Sequence, residues 1–207
     1  MRTERKGVFE TNSSSTHAIV IPKEMNSKYE MLFESLDHNY YFGREECRLV
    51  EYWDEKLAYI YIVLKDRKIA DLSRFKEQVI EIYDELTNGS NEVYFKVTPK
   101  ELFKMLDNNH IDCYVDHSYQ VDNELIERIL NDKDFLKHFL FNKECYITIG
   151  GDEYRGYNIK TIGFQYDYDE EFVNIGTKEE PIYEDRGMFW EKLEEYKKEN
   201  DVYLKGN

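Results

Sequence analysis

LAYIYIVL, residues 57–64, is apolar from end to end, so periodicity cannot choose between a central strand and a buried helix. The fold class stays open with it, and the flanking residues have to be read outward in both directions. Downstream, Leu72, Phe75, Val79, Ile82 and Leu86 recur in steps of three and four. That places them on one helical stripe over 71–86, with Asn88-Gly89 as a favourable stop. EVYFKV, 92–97, alternates as a strand. Thr98-Pro99-Lys100-Glu101 then supplies a cap hydroxyl, a proline for the first helical position and a glutamate to close a capping box.

IDCYV, 111–115, is a further expected strand, and helical patterns follow over about 122–130 and 133–141. CYITIG, 145–150, and YNIKTIGFQ, 157–165, are expected as strands joined across Gly150-Gly151-Asp152-Glu153, and GMFWEKLEEYKKEN, 187–200, as a last amphipathic helix. Upstream, AIVI, 18–21, is a short strand ended by Pro22. Strands and helices alternate without a βαβ rhythm. The expectation is α/β or α+β: a single compact domain over 5–200, with a mixed sheet and several short packed helices. No linker composition divides the chain, and residues 1–4 and 201–207 are expected as flexible termini.

At 207 residues, with 41% hydrophobic and 34% charged side chains, the chain can bury one good core and is not of disordered composition. Its formal net charge is −15, from 43 acidic against 28 basic residues. Such a surface repels phosphate backbones, which disfavours general DNA or RNA binding, and it attracts basic partners. Cys47, Cys113 and Cys145 are scattered and odd in number, against a disulfide framework or a CxxC zinc site. MRTERKG leads into no apolar signal segment, and no window approaches a membrane span. A reducing bacterial host cytoplasm is the expected compartment, with no membrane partner.

The most distinctive stretch is Thr11-Asn12-Ser13-Ser14-Ser15-Thr16-His17, set directly against AIVI. It reads either as a turn packed onto the first strand or as a site that grips something. Hydroxyl and amide groups, with converging backbone N–H groups, suit an anion, and His17 adds a proton donor or metal ligand. It is neither a Walker loop nor a GxSxG elbow.

Arg5–His17 (RKGVFETNSSSTH) resembles the N-terminal signature of an uncharacterised protein family of phages and prophages of Gram-positive bacteria. Phe42-Gly43, Lys56–Tyr61, Val115-Asp116-His117-Ser118, Phe139–Asn142 and Gly150-Gly151-Asp152 extend the resemblance over most of 5–152. Ala18 stands where members often carry serine, and the aromatic–Gly pair that often follows Phe-Gly is missing. The resemblance implies a phage accessory protein, host-directed and an anti-defence candidate.

Chemistry has three candidate locations. Asp116-His117-Ser118 follows an expected strand, and a carboxylate beside an imidazole can orient a general base or bind a metal, with Ser13, Ser14, Ser15 or Ser118 supplying a hydroxyl. Alternation along a strand would instead point Asp116 and His117 apart. Asp152, after two glycines, is a candidate ligand for a divalent cation such as Mg²⁺. Convergence of His17, Asp116, His117 and Asp152 would suit a metal-dependent phosphoesterase or nucleotide-processing enzyme, the alternative reading. His38, His110 and His138 lack metal-ligand spacing and read as surface or helix-face histidines.

The favoured reading rests on YDYDEEFVNIGTKEEPIYED, 166–185, which holds eight carboxylates against one lysine. Asp167, Asp169, Glu170, Glu171, Glu179 and Glu180 lie among Tyr166, Tyr168 and Tyr183. Carboxylates steer a basic surface inward and tyrosines pack against it. The expected function is therefore binding of a basic host or phage protein, as an inhibitor or a nucleic-acid mimic.

Overall fold

The LAYIYIVL run is helical. It forms the centre of helix α1, Trp53–Asp66, and Leu57–Leu64 are all buried, none more than 6% exposed. A helix apolar on every side is stable only when surrounded, and each large side chain so buried contributes roughly 2 kcal/mol. The computed structural model describes residues 16–24, 40–43, 48–87, 97–108, 113–150, 158–159, 164–165, 172–174, 183–185 and 193–205. The choice of helix agrees with the flanking charge. Asp54 and Glu55 occupy the first turn and Lys65 the last, each where the helix dipole favours it.

Every side of α1 is covered. Strand β1, Thr16–Pro22, lies at the centre of an antiparallel sheet of order β10-β1-β5-β3, with β3 at Arg48–Val50, β5 at Tyr146–Gly150 and β10 at Asn200–Lys205. Ile19 sits opposite Ile147 on one side and Tyr203 on the other. His17, Ile19 and Ile21 share the face of β1 that meets α1, since alternate strand residues point the same way and His17 touches Tyr59. A separate parallel pair joins β2, Tyr40–Phe42, to β4, Cys113–Val115, and Phe42 meets Tyr59 edge to face at 5.2 Å.

The remaining helices close the core. Helix α2, Leu72–Thr87, buries Phe75, Val79 and Ile82, and α3, Pro99–Asp107, buries Leu102, Phe103 and Leu106. The expected capping box is complete: Thr98 Oγ1 accepts from the Glu101 N–H, and Glu101 accepts from the Thr98 N–H at 2.8 Å. Helix α4 is Asn123–Asn131 and α5 is Lys133–Phe141. Asp132 ends the first and caps the second, accepting from the Phe135 N–H. The result is an α+β fold whose mixed sheet content comes from an antiparallel sheet plus the parallel pair.

Several expectations are corrected. YNIKTIGFQ is two strands, β6 (Asn158–Ile159) and β7 (Phe164–Gln165), paired antiparallel with Ile159 opposite Phe164. Strands β8, Phe172–Asn174, and β9, Tyr183–Asp185, continue this sheet. Of the expected loose segment 201–207, residues 201–205 are a strand: β10 pairs with β1 from Asn200 to Lys205, and Arg128 reaches both Asp201 and the Tyr203 hydroxyl. The last expected helix is helical over 193–196 and gives way to β10 at Asn200. Residues 92–96 and 187–192 lie outside the described residues.

Candidate functional site

The parallel β2–β4 pair decides which side chains reach solvent. Its register sets Tyr40 opposite Cys113, Tyr41 opposite Tyr114, and Phe42 opposite Val115. Alternation buries Tyr40, Phe42 and Val115 and turns Tyr41 and Tyr114 outward. Those two rings stack, with centroids 5.4 Å apart and planes 27° from parallel. Gly43 is buried, and the Tyr41 ring occupies the space that a β-carbon there would need.

Beyond β4 the chain turns sharply. The Asp116 N–H donates to the Phe42 carbonyl, and His117 takes a left-handed conformation, φ 46° and ψ 47°. Such a conformation is uncommon outside glycine, with histidine among the residues enriched in it. A 3-10 turn, Ser118–Gln120, follows. Arg67, just past the end of α1, secures it by donating to the carbonyls of Ser118, Tyr119 and Val121 and to Asn123 Oδ1.

This turn brings together residues that strand alternation would have kept apart. His117 Nε2 lies 3.5 Å from Asp116 Oδ1, and His117 Nδ1 lies 2.7 Å from the Tyr119 hydroxyl. The Tyr114 hydroxyl donates to Asp116 Oδ1 at 2.9 Å. Asp116 is 1% exposed, whereas Tyr119 is 67% exposed. A buried carboxylate thus anchors an imidazole and two tyrosine hydroxyls at the surface.

The other expected site residues are distributed differently. His17 belongs to β1, is fully buried, and has Nδ1 2.7 Å from the Tyr59 hydroxyl. Burial holds that hydroxyl protonated, far above the ordinary tyrosine range. Ser118 is buried, and the hydroxyl in contact with His117 is that of Tyr119. Among the described residues no three His, Cys, Asp or Glu side chains form a group able to hold a metal ion, so His17, Asp116 and His117 do not make one together. Ser13, Ser14, Ser15, Asp152, Tyr166, Asp167, Tyr168, Asp169, Glu170, Glu171, Glu179 and Glu180 lie outside the described residues. Tyr183 begins β9, opposite Asn174.

Two further polar side chains serve the core. Lys56 is fully buried and donates to the carbonyls of Asn142 and Cys145, both at 2.9 Å. Burial lowers its ammonium to a pKa of about 8. His138, expected at a surface or helix face, is buried: Nε2 donates to the Pro22 carbonyl and Nδ1 accepts from the Asn142 amide. Burial pushes the neighbouring Cys145 thiol up to about 12, which leaves it inert as a nucleophile.

Tyr41, Tyr114, Tyr119 and Arg67 were not singled out by sequence reasoning. The available signal was the alternation in Tyr40-Tyr41-Phe42 and Cys113-Tyr114-Val115, too short to read without the pairing. No helix among the described residues is long and apolar enough to cross a membrane. The chain matches no protein-family model, no curated protein and no solved structure.

Proposed function

We propose that this protein is a phage-type acidic accessory protein that binds a basic protein of the host, acting as an anti-defence inhibitor or nucleic-acid mimic. The observation that carries this reading is the exposed aromatic surface. Among the described residues, the large apolar side chains left exposed are Tyr41, Tyr114 and Tyr119; Tyr114 bonds to Asp116 and stacks on Tyr41, and Tyr119 meets His117 beside that carboxylate. Tyrosines on a rigid surface are characteristic contact residues, and a net charge of −15 selects basic partners and disfavours bare nucleic acid. The acidic 166–185 stretch adds to the same attraction, and the resemblance of RKGVFETNSSSTH to phage and prophage proteins supplies the biological setting.

The test is affinity capture from the lysate of a Gram-positive host, comparing wild type with a variant carrying Asp167→Asn, Asp169→Asn, Glu170→Gln and Glu171→Gln. The expected result is a basic protein held by wild type, released by moderate salt and recovered poorly by the variant. Divalent-metal-dependent phosphoester hydrolysis lost in His117→Ala, with no protein captured, would overturn the proposal in favour of the enzyme. His117→Ala is the informative variant there, because replacing His17 disturbs the core.

A further inference from the structure

We propose that the Tyr41–Tyr114–Tyr119 patch seats an arginine side chain of the basic partner, its guanidinium lying flat on the tyrosine faces. This rests on the reading of the chain as a binder of a basic protein and names the chemistry of the contact. The platform is built before anything binds. Tyr41 and Tyr114 are held as a stacked pair by strands whose alternate residues are in the core, and Gly43 leaves room for the Tyr41 ring. A preformed aromatic surface loses little side-chain entropy on binding.

The hydrogen bonds beneath the patch point to a cation. Tyr114 donates its hydroxyl proton to the Asp116 carboxylate. The Tyr119 hydroxyl meets His117 Nδ1 at 2.7 Å, and the other nitrogen of that ring lies 3.5 Å from the same carboxylate oxygen. A phenol donating toward a negative group gains electron density, and the ring face becomes more attractive to positive charge. The Tyr114 hydroxyl is thereby turned toward the buried carboxylate, while the Tyr119 side chain stands 67% exposed. Exposed Asp122 and Glu124 follow the 3-10 turn at the start of α4. Arg67 keeps its positive charge while donating to the carbonyls of the turn and to Asn123, and it is outnumbered there by the carboxylates of Asp116, Asp122 and Glu124. Arginine fits such a surface better than lysine because guanidinium is planar, delocalised and weakly hydrated, and stacks on aromatic faces. A nucleobase would stack equally well but brings phosphates toward a chain of charge −15.

The experiment uses the full chain with ¹³C-labelled tyrosine rings, titrated at low salt with an Arg-Gly repeat peptide. A Lys-Gly repeat of the same length and an oligothymidylate serve as competing probes. The Arg-Gly peptide is expected to shift the ring signals of Tyr41, Tyr114 and Tyr119 and to bind about fivefold more tightly than the Lys-Gly peptide. Tyr114→Leu and Tyr119→Leu should each weaken the Arg-Gly peptide by about five- to tenfold; Tyr119→Leu, at a 67% exposed position, should leave the unfolding midpoint near wild type, and Tyr114→Phe, which loses the bond to Asp116 but keeps the ring, should retain the peptide. Equal binding of the two peptides, binding unaffected by either leucine variant, or ring shifts produced by the oligonucleotide would overturn the arginine seat. Under the first two outcomes, capture of a basic protein by the acidic surface would still stand. Failure of both peptides to bind at low salt would remove both proposals.

Discussion

His17 Nδ1 and the Tyr59 hydroxyl meet at 2.7 Å inside the core, joining strand β1 to the middle of helix α1. The histidine that closes the TNSSSTH run is therefore part of the packing between sheet and helix. Removing the hydroxyl with Tyr59→Phe takes away a buried hydrogen bond and should cost about 1–3 kcal/mol. His17→Ala also removes the ring that leans on Tyr59 at a centroid distance of 5.5 Å and should cost more. Urea unfolding of both variants checks this. A Tyr59→Phe midpoint equal to wild type would show that the contact contributes nothing.

Lys56 makes a pH-dependent prediction whose sign follows from burial. Its native pKa of about 8 lies below the ordinary 10.5, so between those values the unfolded chain holds more protons than the native one. Stability contributed by this group must therefore rise with pH across that window. Below pH 8 the native protein carries the full cost of a buried ammonium; above 10.5 that cost is gone. Relative to Lys56→Met, the wild type should gain on the order of 2 kcal/mol between pH 7 and 10. Urea melts of both proteins at each pH measure the difference, which cancels other titrating groups to first approximation. A difference that stays flat, or falls, contradicts a depressed pKa.

The parts of the fold legible in the sequence are those whose cause is local. The capping box at Thr98 and the stripe from Leu72 to Leu86 involve neighbours within one or two turns, and both stand in the structure. The identity of 57–64 was not legible by periodicity, because a helix buried on all sides has no polar face to mark its period. Its acidic first turn, Asp54 and Glu55, was the usable clue. Strands β2 and β3, three residues each, are too short to show alternation, and β2 is defined by a partner more than seventy positions away. For the same reason the aromatic pair Tyr41–Tyr114 could not be foreseen. Nor does Asp116-His117-Ser118 announce its geometry. The left-handed turn at His117 brings the carboxylate and imidazole to the same side, whereas a continued strand would have separated them.

Gly43 and Tyr41 are coupled by a simple steric condition. A β-carbon at 43 would lie 2.4 Å from the Tyr41 ring, so Gly43→Ala must displace that ring and disturb its stack on Tyr114. The expected cost is about 1 kcal/mol in the wild-type background. It should largely vanish when Tyr41 is already alanine, because the obstructing ring is then gone. A double-mutant cycle read by chemical unfolding gives the coupling. Additive costs would mean that position 43 is constrained by something other than Tyr41.

The end of the chain offers the clearest contrast between a loose tail and a structural strand. Asn200–Lys205 pairs along β1, Tyr203 is 8% exposed, and its hydroxyl and Asp201 both receive Arg128. Deleting 206–207 removes none of these contacts and should leave stability unchanged. Deleting 200–207 removes the whole ladder, at about 0.5–1.5 kcal/mol for each hydrogen bond, and the burial of Tyr203, at roughly 2 kcal/mol. It also bares the edge of β1, a strand that is buried from His17 to Ile21. Exposed apolar strand edges promote pairing between molecules. The longer truncation should therefore lose at least about 3 kcal/mol and shift toward aggregates in size-exclusion chromatography. Two truncations that unfold at the same urea concentration and elute as the same species would show that β10 contributes nothing to the stability of the sheet.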